Sequence, residues 1–303
     1  MNTETRSKRL KRFSKRLIKG KPFRKSEFGS GFFDRTPKGI IRQWQVRSAG
    51  QRPAPVKLEL PGQRDGGTRD TVRIYIGSEP SQHRAERVLL WSIHKYRDPD
   101  RAYEIYIMKD LRGFDRKNWK TGFTAYRYAI PEFAGYSGRA IYNDVDQIYL
   151  RDPGALLDED MRGAGVLAVD SRDTSVMLLD CQQLENVWSV RAVKEAPHRG
   201  LHTAMLKRLR QHQLIADLPG HWNSRDHEYD RHSSSLLHYT ILHTQPWQPF
   251  PGELRYRDNP QGQPWFELEL EADEAGFVPG WKTAADRPYE ELGDYFTVTE
   301  YAA

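Results

Sequence analysis

The chain runs to 303 residues, room for one large α/β domain with appendages or for two small ones, and its 38% hydrophobic content beside 12% aromatics points to polar tails around an ordinary core. The net charge of +6 is uneven: residues 1–25 hold eleven Lys or Arg against one acid, Glu4, a local +10 that leaves the rest of the chain at −4 and excludes a nucleic-acid-binding body. A single cysteine, Cys181, excludes an internal disulfide framework and an all-cysteine metal site, and implies a reducing, cytoplasmic setting.

In chain order, the basic segment 1–25 comes first. Leu10, Phe13 and Leu17 recur at helical spacing with Ile18 beside them. That pattern reads either as an amphipathic helix peripheral on an anionic membrane face or as a solvated basic arm. No apolar run of signal-peptide or membrane-spanning length follows it. Residues 26–70 are rich in Gly, Pro and charge, with a loop signal, GQRDGG, at 62–67. They read as a linker carrying one short strand, VKLEL at 56–60.

Regular alternation begins at Val72. VRIYIGSE is a buried strand entering a Gly-Ser turn, AERVLLWSIHKY (85–96) a helix, and YEIYIMKD (103–110) a strand. TAYRYAIPEF (124–133) is a short helix cut by Pro131, and RAIYNDVDQIYL (139–150) a strand with an acidic turn. GAGVLAVD (163–170) and SVMLLDC (175–181) are strands, LHTAMLKRLRQHQ (201–213) a helix and SSLLHYTI (234–241) a late strand. Such alternation predicts an α/β fold with a mostly parallel central sheet and helices on both faces. From 251 the chain is Pro-rich, aromatic and acidic, and WFELELEADEAG (265–276) reads as a strand. The division is then 1–70 as basic tail and linker, 71–250 as the catalytic-type domain and 251–303 as a C-terminal extension.

Three Asp-x-Asp triplets occur, at 98–100, 144–146 and 158–160. Only Asp144-Val145-Asp146 follows one apolar strand directly and precedes another. Two carboxylates placed there are costly without a positive partner, for which a divalent cation is the natural choice. A solvated acidic turn is the alternative. His238, inside LLHYT, is by itself either a satisfied structural histidine or a third ligand. Two carboxylates with one imidazole suit Mn2+ better than Mg2+.

Taken together, residues 72–250 resemble the retaining GT-A glycosyltransferases of family 8, which include glycogenin and the bacterial lipopolysaccharide galactosyl- and glucosyltransferases. Five segments carry the resemblance in order: IYIGSE (74–79), AYRYAIPEFAGYSGRAIYNDVDQIYLRDPGALL (125–157), SVMLLDC (175–181), LPGHWN (218–223) and LLHYTILHTQPW (236–247). The resemblance implies a GT-A fold and transfer of a sugar from a nucleoside-diphosphate sugar, a UDP-sugar, to a glycan or lipid-linked acceptor of the cell envelope, on the cytoplasmic side.

It implies roles as well. Asp144, Asp146 and His238 hold the metal, Mn2+ or Mg2+. Asp144 also approaches the donor ribose or sugar, Arg127 contacts the donor sugar or diphosphate, and Asp173 and His202 stand where further catalytic groups are sought. Gly77, Ser78, Asn143 and Val145 border the nucleotide, and the loop from His243 to Gln245 closes over the diphosphate. The chain departs from the family at three places: Gln245 stands near the usual lysine, Asp173-Thr174-Ser175 replaces an Asn-containing acceptor strand, and His202-Thr203-Ala204 replaces an Asp-Gln-Asp segment. These departures keep open a non-catalytic GT-A protein that binds a nucleotide sugar or serves as a partner subunit.

Overall fold

The computed structural model describes residues 54–63, 69–114, 123–170, 172–195, 200–250, 254–277 and 297–299. The basic segment 1–25 lies outside them, as do residues 64–67 of the GQRDGG loop. Among the described residues no helix is long and apolar enough to cross a membrane.

Eight strands form the main sheet: β1 (Val56–Leu60), β2 (Val72–Gly77), β3 (Tyr103–Met108), β4 (Arg139–Asp144), β6 (Val166–Asp170), β7 (Asp173–Asp180), β8 (Ile215–Asp217) and β11 (Thr297–Thr299). Their order is β11-β1-β3-β2-β4-β7-β6-β8. The pairings make β2, β3, β4, β6, β8 and β11 run one way, with β1 and β7 reversed, so the sheet is mostly parallel as expected. A second sheet, in the order β5-β10-β9, joins β5 (Gln147–Tyr149), β10 (Leu236–His238) and β9 (Ser224–Arg225). The fold is α/β, with α1 (His83–Tyr96), α2 (Ile130–Phe133), α3 (Pro153–Leu157), α4 (Val190–Glu195), α5 (Leu201–Gln211) and α6 (Gln263–Glu274) around the sheet.

The middle strands are covered on both faces, which is why they read as apolar runs rather than as alternation. Ile74, Tyr75 and Ile76 of β2 are all fully buried, and Tyr75 stacks on its register partner Tyr106 at 4.4 Å between ring centroids. In α1, Ala85, Val88, Leu89 and Ile93 fall on one buried stripe. α3 begins at Pro153, tolerated in a first turn, after Asp152 accepts the Gly154 N–H at 2.8 Å.

The strands expected on either side of the acidic turn are β4 and β5, and they belong to different sheets. Two elements differ from the sequence reading. The strand expected over 234–241 shrinks to β10. Residues 265–276 are helical, not extended. Phe266, Leu268 and Leu270 alternate with Glu, which imitates a strand, but Trp265, Leu268 and Ala272 form a buried helical stripe and Glu and Leu are strong helix formers. Phe266 and Leu270 are left 48% and 58% exposed.

The segment read as linker and the segment read as extension both join the main body. β1 pairs along its whole length with β3. α6 is tied to α1 by Arg84–Glu269, Lys95–Glu271 and Arg87–Asp273, with the Arg84 guanidinium 4.8 Å from the Trp265 ring centroid. Lys95–Glu271 is exposed on both sides and contributes about 1 kcal/mol or less, and Trp265, Leu268 and Ala272 supply the apolar packing of α6. Leu268→Ala is therefore expected to cost about 2–5 kcal/mol in urea unfolding. Leu270→Ala should change stability by less than about 0.5 kcal/mol. Equal losses would mean that the two leucines share a face, as in a strand.

Candidate metal centre

The site is built where the parallel strands β3, β2 and β4 end. Asp144 is the last residue of β4, in register with Gly77 at the end of β2, which in turn pairs with Met108 of β3. The Val145 N–H donates to the Gly77 carbonyl at 3.2 Å and pins the acidic turn to β2. Sheets of this kind bind ligands at the carboxyl ends of their strands.

His238 arrives from the second sheet. It lies opposite Gln147 in β10–β5, and the Tyr239 N–H donates to the Asp146 carbonyl at 2.9 Å, so 92 residues of sequence separation close onto one turn. One ligand atom from each of Asp144, Asp146 and His238 lies within 4.8 Å of the others, and all three residues are buried. The other two Asp-x-Asp triplets do not join such a cluster among the described residues.

Asp144 is neutralised from one side. Its Oδ1 accepts from Arg127 Nη2 at 2.6 Å and from the Tyr142 hydroxyl at 2.5 Å. Arg127 is held by the Thr124 carbonyl at 3.0 Å and by the Thr174 carbonyl and hydroxyl at 2.5 and 2.9 Å, and its guanidinium carbon lies 4.5 Å from the Tyr142 ring centroid. Burial works against the Arg127 charge, but attraction to Asp144, Tyr142, Tyr128 and Asp173 together more than offsets it, and the pKa is raised further above the usual arginine value. Burial pushes the Tyr142 phenol well up, so it stays a donor to Asp144.

Asp146 and His238 meet differently. Asp146 Oδ1 lies 3.2 Å from His238 Nε2, and its Oδ2 accepts from Gln245 Nε2 at 3.3 Å. His238 Nδ1 lies 2.8 Å from Asn223 Oδ1. With Nδ1 donating to Asn223, His238 turns Nε2 toward the Asp146 carboxylate, a contact that a proton or a cation can close. The donor set of two carboxylates and an imidazole with a fixed tautomer fits a divalent ion such as Mn2+.

The remaining expected residues divide. Gly77 is required: a Cβ there would lie 2.5 Å from the Tyr142 hydroxyl and 2.8 Å from Phe123. Ser78 is buried, its hydroxyl without a partner among the described residues. Gln245 reaches the cluster through Asp146 and donates to the Tyr239 carbonyl at 2.9 Å, while its Oε1 is buried without a partner among the described residues. Val145 is fully buried within the turn. Asn143 turns inward, its amide donating to Gln147 at 2.8 Å and its oxygen accepting from Tyr149 at 2.7 Å. His243 bonds the Arg255 carbonyl and packs toward Tyr256, and burial lowers its pKa. His202 takes the Tyr128 hydroxyl on Nδ1 and faces the Arg172 carbonyl with Nε2 at 3.3 Å, outside the metal cluster. Asp173 touches Asn223 and Ser175 rather than the metal ligands. Burial opposes its ionisation, but His238, the Ser175 hydrogen bonds and Arg225 hold it below the usual carboxylate range.

Sequence reasoning missed Tyr142, Thr174, Asn223 and Asp226. Asn223 was within reach, as the last residue of the LPGHWN segment. Asp226 gave no signal. It is buried at φ +40°, accepts from the Thr240 N–H at 3.0 Å and from its hydroxyl, and keeps one oxygen without a partner.

No protein-family model matches the chain, and no curated protein matches it. Solved structures do resemble it. The apo glycosyltransferase GlyE of Streptococcus pneumoniae TIGR4 shares 17% identity at a TM-score of 0.48, over 66% of this chain and 61% of GlyE. The apo bifunctional glycosyltransferase WbbM shares 12% at 0.47, over 70% of this chain and 54% of WbbM. The galactosyltransferase LgtC, in complex with donor and acceptor sugar analogs, shares 11% at 0.46, over 66% of this chain and 96% of LgtC. The chain thus spans about three fifths of GlyE and about half of WbbM. Each is a likeness in chain path alone, and the chemistry rests on the site's own residues.

Two outcomes follow from this geometry. Gly77→Ala should destabilise the metal-free protein by about 1–3 kcal/mol in thermal unfolding, because the new methyl displaces the Tyr142 hydroxyl from Asp144. An unchanged melting temperature would remove the steric link between β2 and Asp144. Asp226 has its pKa raised, by burial first and by Asp146 further, so the folded state holds its proton more tightly than the unfolded state does. Its contribution is most favourable below the ordinary carboxylate range and is lost as pH rises through the folded-state value. Asp226→Asn should therefore gain in urea midpoint over the wild type between pH 4 and pH 7, and a constant difference would contradict the raised value.

Proposed function

We propose that the chain is a divalent-metal-dependent glycosyltransferase that moves a sugar from a nucleoside-diphosphate sugar, a UDP-sugar, to a glycan or lipid-linked acceptor with retention of configuration. The observation that carries this reading is the buried Asp144–Asp146–His238 cluster at the carboxyl ends of β2 and β4. The ordered resemblance of five segments to family 8 enzymes supports it.

In the reaction the bond from the sugar's anomeric carbon to the diphosphate breaks and one to the acceptor hydroxyl oxygen forms. The hydroxyl proton leaves with the diphosphate or to solvent. Asp144, Asp146 and His238 hold the cation, which when bound stabilises charge on the diphosphate oxygens as a Lewis acid. Arg127 orients Asp144 and sets a fixed positive charge beside the leaving group. Gly77 leaves the nucleotide side open, and the Ser78 hydroxyl and Gln245 Oε1 offer neutral hydrogen bonds to the donor. Gln245 orients Asp146 instead of supplying the charge that a lysine would bring.

The second reading, a GT-A protein that binds a nucleotide sugar without turning it over, is favoured by one observation. Gln245 and a neutral His243 occupy the loop in which the resemblance places a cation. Release of free UDP from a UDP-sugar in the presence of Mn2+ separates the two.

The decisive measurement is calorimetric titration of UDP into the protein with and without Mn2+, for the wild type and Asp146→Ala. Binding that needs Mn2+ and is lost by at least about tenfold in the variant is the expected result. Equal affinity with and without Mn2+ would overturn the metal-dependent reading.

A further inference from the structure

Behind His238 lies a chain of polar groups that the transfer reaction itself does not use. Asn223, at the end of the 3-10 turn Gly220–Asn223, is fully buried. Its Nδ2 lies 3.2 Å from Asp173 Oδ2 and 3.2 Å from Ser175 Oγ. Ser175 Oγ donates its proton to Asp173 Oδ1 at 2.5 Å, so toward Asn223 it can only accept. Asp173, as a carboxylate, can only accept as well. Two acceptors therefore fix which way the Asn223 amide faces, with nitrogen toward Asp173 and oxygen toward His238. The His238 nitrogen opposite that oxygen, Nδ1 at 2.8 Å, must carry a proton, so Nε2, which faces Asp146, is the nitrogen left to ligate a metal.

We propose that Asp173 and Asn223 are positioning residues that select the His238 tautomer able to bind the metal, the charge of Asp173 being relayed through the Asn223 amide. The inference rests on the metal reading of the Asp144–Asp146–His238 cluster. It moves Asp173 from a catalytic group to one that acts through another. An amide between the acid and the imidazole makes the relay reversible in sign: exchanging acid and amide keeps the pattern of donors and acceptors, whereas changing either one alone breaks it.

In Asp173→Asn, the Ser175 N–H, 3.0 Å from Oδ1, keeps the amide oxygen at that position and turns the new nitrogen toward Asn223. Asn223 then flips, presents its own nitrogen to His238 Nδ1, and moves the imidazole proton to Nε2, the nitrogen that faces Asp146. In Asn223→Asp, two carboxylates face each other across 3.2 Å. In the double variant Asp173→Asn/Asn223→Asp, the new amide donates to the new carboxylate, which accepts from Nδ1 as before.

The test uses the full chain. Mn2+ affinity is measured by calorimetry, and the His238 tautomer by long-range 1H–15N correlation of the metal-free protein. Wild type should show Nδ1–H. Each single variant should lose about tenfold to a hundredfold in Mn2+ affinity, with Asp173→Asn showing Nε2–H, and the double variant should return to within about threefold of wild type. Urea unfolding of all four proteins confirms that the variants remain folded. A merely structural role would leave the tautomer unmoved and the double variant at least as weak as the singles, and either result overturns the relay. If the wild type binds no Mn2+, the metal reading fails, and the nitrogen spectra of wild type and Asp173→Asn still decide whether the relay sets the tautomer.

Discussion

The controlling constraint in this structure is the crowding of electronegative atoms at one end of a sheet. Asp144 and Asp146 sit a single residue apart on a turn that is almost closed to solvent, with the His238 imidazole against them. Charges placed so are unstable unless each is matched. The surrounding groups answer that demand one by one: Arg127 and Tyr142 on Asp144, Gln245 on Asp146, Asn223 on His238. Asp146 and His238 meet each other at 3.2 Å, and together with Asp144 they form a group that could hold a metal ion.

Buried amides also hold the two sheets in register. Gln147 belongs to β5 of the small sheet, yet its oxygen accepts from Asn143 of β4 and its nitrogen donates to the Ser175 carbonyl of β7. Tyr149 of β5 reaches back to Asn143 as well. These groups have no other partners in the dry interior, so sliding one sheet over the other would leave several buried polar atoms unsatisfied at about 1–3 kcal/mol each. The distance from Asp144 on one sheet to His238 on the other is thereby set by hydrogen bonds rather than by the looser fit of side chains.

Much of this was readable in advance, and the reason differs from residue to residue. Asp144-Val145-Asp146 was separable from two other triplets because only it lies between apolar strands, and hydrophobic pattern is the strongest signal a sequence carries. His238 required the ordered resemblance, since a lone histidine among leucines looks like core. The roles of Asp173, His202 and His243 were not readable, because they depend on which neighbour a side chain meets across 50 or more residues, or on a local turn such as the one that points His243 at Arg255. The 265–276 segment misled for a plainer reason. Glu-Leu-Glu-Leu satisfies a period of two as well as a helix with one buried leucine, and only the stripe from Trp265 to Ala272 decides between them.

The way the large sheet ends has its own consequence. Its outermost strands, β11 and β8, are three residues each. β11 lies along Lys57, Leu58 and Glu59, so it covers the middle of the five-residue strand β1. A long bare strand edge is a template on which another chain can add itself in register, and short terminal strands give such a chain little length to hold. Self-association through the sheet is therefore disfavoured at both margins. A variant lacking residues 297–299 would uncover the longer of the two edges and make the protein prone to grow by strand addition.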